Sequence, residues 1–162
     1  MPISPRDNLL AHGIELPPAP KPLALYMPAT ATDETIYVSG QLPFDNGSLI
    51  ATGRVGAEVD LETARACARR CAVNALAALD GALERDWRRF RQVLKLTVFV
   101  ACDPSFTDHH LVADGASELL GTALAGSTRH ARAAVGCPSL PMNAPVEVEL
   151  IAQTIAEFHG SD

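Results

Sequence analysis

The chain lacks the marks of several large protein classes. Its opening, Met-Pro-Ile-Ser-Pro-Arg-Asp-Asn, has no basic region followed by an apolar core, so no secretory leader is expected. No uninterrupted apolar run is long enough to cross a bilayer, and the expected location is cytoplasmic. The four cysteines, Cys67, Cys71, Cys102 and Cys137, form no CxxC pair and no zinc-like spacing. Neither a metal nor another cofactor is expected, and the thiols read as buried or half-buried packing groups. Basic runs are also absent beyond Arg88-Arg89 and Arg91, and the net charge is -6. With no global basic footprint and no interleaved basic and aromatic surface, nucleic acid is not the expected partner.

What remains is an ordinary globular composition. At 162 residues, 48% hydrophobic and 20% charged, the chain is long enough for one domain with a sizeable core. Residues 1–22 read as an N-terminal extension, with a short helix over 5–12 stopped by Gly13 and a Pro-rich, extended stretch over 16–22. A single domain over 23–162 follows. Strands are expected at 23–28, which holds Tyr26, and at 34–41, which ends in Ser39-Gly40-Gln41. Asn46-Gly47 signals a tight reversal into a short strand at 49–51.

Asp60 is a suitable N-cap for a helix over 61 to about 84, with a stripe of small residues turned toward a sheet. Arg65 and Arg69 fall on the opposite face, with Glu62 placed to pair with either. A strand over 93–100 precedes a second helix, about 106–120, ended by Gly121. His109 and His110 there are adjacent and point about 100° apart, so they cannot share one metal, and one at least is exposed. The order β, β, β, α, β, α, β, β predicts an α+β domain with a mixed sheet and both main helices on one face. The other sheet face stays partly uncovered and is a candidate for assembly.

The C-terminal part carries the chemistry. Val146, Val148 and Leu150 alternate with Glu147 and Glu149, the period of a half-buried strand. The preceding run holds one charged side chain, Arg132, among small apolar neighbours. Such a guanidinium needs an anion, either a protein carboxylate or a ligand. The ordinary solution is a cross-strand pair between Arg132 and a glutamate.

The pattern Ala131-Arg132-x-x-Val135, Leu140-Pro141, Val146-Glu147-Val148-Glu149-x-Ile151-Ala152 resembles the C-terminal signature of the RidA/YjgF family, also called endoribonuclease L-PSP-like. Tyr26, the strand Ile36-Tyr-Val-Ser39-Gly40-Gln41-Leu-Pro43 and the segment around Phe106 extend the match over roughly 23–155, as in a divergent subgroup. The resemblance implies a chorismate-mutase-like fold assembled as a homotrimer with sites in the clefts between subunits. It implies a hydrolase that converts 2-imino acids of the 2-iminopropanoate type to 2-oxo acids and ammonia. In that carry-over Arg132 binds the substrate carboxylate, as a planar fork does better than lysine. Glu147 holds the attacking water. Tyr26, Ser39 and Gly40 line the pocket, with His110 where many members have Asn and Ala134 where many have Cys. Imine hydrolysis needs no thiol, so Ala134 is compatible with it, whereas His110 changes the size and titration of the pocket. Two other functions stay open: a non-catalytic trimer that binds small carboxylates or acts as a chaperone, and a ribonuclease.

Overall fold

The computed structural model describes residues 4–21, 25–125 and 129–155. A five-stranded sheet forms its centre. Its strands are β1 (Ala29–Ala31), β2 (Thr35–Gln41), β5 (Phe90–Ala101), β6 (Ala131–Cys137) and β7 (Val146–Thr154), in the order β1-β2-β7-β5-β6. All neighbours are antiparallel except β5 and β6. That parallel pair is joined through helix α3 (His109–Ala123), as a crossover between parallel strands requires. A separate hairpin of β3 (Phe44–Asp45) and β4 (Ser48–Leu49) turns at Asn46 and Gly47, which both take positive φ, 49° and 84°.

Helix α2 (Leu61–Ala82) begins where Asp60 accepts a hydrogen bond from the Thr63 amide at 2.7 Å. Its small residues let it lie flat on the sheet, and Ala64, Cys67, Ala68, Cys71, Ala75 and Leu79 are all buried. They meet Ile36, Val38, Leu96, Val98, Val148 and Leu150 from the strands in one core. Helix α1 (Pro5–Ala11) packs against α3 and buries Leu9 completely. Ala19 of the Pro-rich segment lies over Gly81 of α2, where an added Cβ would meet it at 2.7 Å.

The α+β fold and the mixed sheet agree with the reading of the sequence, and four local expectations change. The first strand lies at Ala29–Ala31, not at 23–28, where Leu25 and Tyr26 precede it and 22–24 lie outside the described residues. Helix α3 starts three residues later than expected and runs through Gly121 to Ala123, because the left-handed residue that follows its C-cap is Ala125 (φ 50°), not Gly121. Arg65 is not on a solvated face. It reaches across to α3, donating to the Leu111 carbonyl at 3.1 Å and to Glu118 at 2.8 Å, because α2 is flanked by α3 as well as by the sheet. Last, β6 and β7 are not neighbours. Strand β5 lies between them, which removes the cross-strand pairing of Arg132 with a glutamate.

Candidate functional site

Arg132 stands on β6, the free edge of the sheet, opposite Leu96. Leu96 belongs to the core under the helices, so Arg132 shares the helix-bearing face, and it projects onto α3. Its Nη1 donates to Asp114 Oδ1 at 2.8 Å and to Ser117 Oγ at 3.1 Å, and its Nη2 to the His110 carbonyl at 3.5 Å. Ala134, two residues on, shares that face and packs on the core. The arginine is therefore a half-exposed fork held at the rim. Asp114 and Ser117 were not singled out from the sequence. The signal was present, since residues 110, 114 and 117 are spaced i, i+4, i+7 and lie on one helical face.

His110 is exposed, and its carbonyl, not its ring, meets Arg132. The inward histidine is His109. Its Nε2 lies 3.3 Å from Cys102 Sγ, and its ring sits edge-on to Phe106. Burial holds the Cys102 thiol above its usual range, so this contact reads as core packing.

Glu147 occupies the other face. In register it lies opposite Phe99, which in turn lies opposite Val135. Its carboxylate fills the space a side chain on Gly40 would need, so glycine at 40 is a condition for Glu147 to lie there. The ladder between β2 and β7 slips at this point, between Val38 and Gln41. Burial first, and the charge of Glu149 second, raise the Glu147 pKa above the ordinary carboxylate value. Ser39 donates from its hydroxyl to the Met27 carbonyl at 2.7 Å and ties the segment carrying Tyr26 to the strand.

Tyr26 and Gly40 also border a cavity of about 530 Å³ between the Pro-rich segment, α2 and the β3–β4 hairpin. Pro141 and Met142, from the turn before β7, close one side.

Arg132 and Glu147 do not converge within the chain. They are separated by two strand spacings, about 10 Å, and three residues along the strands, about 10 Å more, on opposite faces. One chain cannot apply both to one small molecule. Sequence comparison supplies the context for this division. Residues 6–154 match the family described as "YjgF/chorismate_mutase-like, putative endoribonuclease". The chain belongs to that family.

Among its relatives, Protein TCP17 of Trypanosoma cruzi is 39% identical over 147 residues, covering 90% of this chain and 91% of that protein. The Agrobacterium tumefaciens protein Atu1372, whose function is unknown, has a crystal structure similar at a TM-score of 0.86, with 44% identity and 93% of each chain covered. A Shewanella oneidensis structure that carries the same endoribonuclease name superposes at 0.87, with 30% identity over 93% of this chain and 99% of that one. The Escherichia coli YjgF gene product is more distant, with a TM-score of 0.61 and 25% identity over 83% and 92% of the two chains.

A local basic surface, which the missing global footprint leaves open, is present. Arg6, Arg85, Arg88 and Arg91 surround Trp87 and Phe90 in a second cleft, because the connection after α2 coils tightly there. Basic and aromatic groups are thus interleaved locally. Arg88 is spent on Asp86 at 2.7 Å and Arg6 faces Asp80 at 3.4 Å, so the local positive charge is reduced. Among the described residues no group of three or more metal-ligating side chains occurs, and no helix is long and apolar enough to cross a membrane.

Proposed function

We propose that the protein is a small-molecule deaminase that hydrolyses 2-imino acids to 2-oxo acids and ammonia in clefts between the subunits of a homotrimer. The observation that carries this reading is the division of Arg132 and Glu147 between opposite faces of one chain. A second copy docked at the β6 edge can bring its own Glu147 half toward the first copy's Arg132. The uncovered sheet face, with Tyr37 47% and Val135 43% exposed, offers apolar surface for such docking.

In this reading Arg132 binds the substrate carboxylate and Asp114 and Ser117 hold its fork in place. The partner copy's half supplies the water. Glu147, ionised, accepts a proton as the water oxygen bonds to C2 of the protonated imine and the C=N π pair moves to nitrogen. Glu147 returns that proton to the nitrogen of the resulting carbinolamine, the C–N bond breaks as the C2 hydroxyl becomes the carbonyl and releases its proton, and ammonia and the 2-oxo acid leave. No redox step and no covalent enzyme intermediate is needed. Tyr26 and Gly40 border the cavity, Ser39 ties the Tyr26 segment to β2, and His110 and Ala134 flank the arginine.

The test uses 2-iminopropanoate generated by an amino-acid oxidase, with ammonia and pyruvate measured against the buffer rate. Acceleration by the wild type, lost in Arg132→Ala, is expected. A wild type no faster than buffer, or equal to Arg132→Ala, would sink the proposal.

One observation favours a second reading: the cleft of arginines around Trp87 and Phe90 suits a single-stranded nucleic acid, as the family's ribonuclease name suggests. RNA cleavage that survives Arg132→Ala and falls in Arg85→Ala/Arg91→Ala would support it.

A further inference from the structure

The cavity beside Gly40 is too large for the substrate that a minimal deaminase would take. We infer that it receives the substrate's side chain, and that this side chain is bulky and apolar: the protein acts on branched-chain or aromatic 2-imino acids in preference to the three-carbon one. The inference rests on the deaminase reading above.

Size is the first argument. A volume of about 530 Å³ lies within the range of roughly 300–1,000 Å³ that accommodates drug-sized ligands. A three-carbon imino acid would leave most of it empty, and the lining atoms would forgo their dispersion contacts. The lining is the second argument. Pro17, Pro20, Leu42, Phe44, Ala77 and Met142 present apolar surface. Of the polar groups in the lining, Lys21 and Tyr26 are exposed to solvent, and the inner pair, Arg70 and Asn74, is engaged by the protein. Arg70 donates from Nε to the Phe44 carbonyl at 2.6 Å and meets Asp45 at 3.3 Å. Asn74 donates to the Leu42 and Phe44 carbonyls at 2.9 and 3.0 Å. With those groups satisfied, an apolar occupant strands no buried donor.

The third argument is placement. Gly40 borders this cavity and also makes room for the Glu147 carboxylate. A substrate whose C2 lies at the water held by Glu147 can therefore extend its side chain past Gly40 into the cavity. The outer wall is the Pro-rich segment, fixed by the contact of Ala19 on Gly81 and stiffened by prolines that restrict φ. A rigid wall gives a pocket of set size, which discriminates between side chains better than a loose one.

The experiment compares 2-imino acids made in situ by oxidase from alanine, leucine and phenylalanine. The kcat/KM for the leucine- or phenylalanine-derived substrate is expected to exceed that for the alanine-derived one by at least about tenfold. In Leu42→Trp, which fills part of the cavity, that preference is expected to disappear, the kcat/KM for the leucine- and phenylalanine-derived substrates falling to that of the alanine-derived one. Equal efficiency across the three substrates in the wild type overturns the inference. Calorimetric titration of the wild type with pyruvate, 4-methyl-2-oxopentanoate and phenylpyruvate provides a second readout that needs neither turnover nor a folded variant. Affinity rising along that series supports the cavity assignment, and flat affinity overturns it. If no imino acid is hydrolysed but affinity rises, the deaminase reading fails and the cavity assignment stands.

Discussion

At the scale of residues, the two charged groups that matter are both held short of their free state. Arg132 shares its guanidinium with Asp114, so part of its charge is met before any ligand arrives. Asp114→Asn keeps an oxygen acceptor for Nη1 and removes the competing charge. In steady-state assays the KM of this variant for a 2-imino acid should fall by about threefold with kcat little changed. An unchanged KM would show that the Asp114 charge does not compete with the ligand, and a raised one that it aids binding.

Glu147 sits in the opposite situation, with burial and Glu149 pressing it to hold its proton. Its pKa in the folded chain is above the unfolded value, so the folded chain binds more protons between the two. Stability from this group is full below the unfolded pKa and is lost as pH rises through the folded pKa. Urea midpoints of wild type and Glu147→Gln should therefore run together in acid, with the variant gaining as pH climbs through that window. Parallel curves at every pH would refute the assignment. Arg132, Glu147, Tyr26, Ser39 and Gly40 stand out in the sequence because they follow a family signature, and their roles belong to the proposal above. Asp114, Ser117 and the cavity walls do not, because they join through contacts between distant segments.

Among the elements, the contact between α2 and α3 constrains the Arg132 half-site most. The two helices touch at Gly115, where an added Cβ would run into the backbone of Arg65, with Arg65 Cα at 3.2 Å. Backbone cannot give way as a side-chain tip can. Gly115→Ala should cost about 2–3 kcal/mol in urea unfolding, and α3 should shift away from α2. Since α3 carries His110, Asp114 and Ser117, that shift also loosens Arg132. A loss within experimental error would mean the helices have slack here. The elements themselves were largely readable: Asp60, Asn46-Gly47 and the alternation of 146–150 each act locally. The end of α3 lies past Gly121, because a glycine stops a helix only where the backbone turns left-handed, and here that turn falls at Ala125.

For the whole molecule, the division of Arg132 and Glu147 makes a prediction that no single-chain site shares. Arg132→Ala and Glu147→Gln should each be inactive alone. Mixed after joint unfolding and refolding, they should regain deaminase activity, because some clefts then combine an intact arginine with an intact glutamate. No recovery, in a pool shown by light scattering to be trimeric, would place both groups in one chain's site. A charge on the uncovered face, as in Val135→Glu, should shift the scattering mass toward monomer and abolish activity together with it.

Local pattern determined most of the secondary structure, the α+β class and the identity of the charged residues, because caps, turns and period-2 alternation act over a few neighbours. Tertiary structure alone decided the strand order. By inserting β5 between β6 and β7, it separated Arg132 from Glu147, and it faced Arg132 with Asp114 instead. The same holds for the cavity, whose walls come from the Pro-rich segment, β2, α2 and the turn before β7. The physical reason is that strand pairing and cavity closure depend on which distant surfaces bury each other, and hydrophobic burial is not directional along the chain.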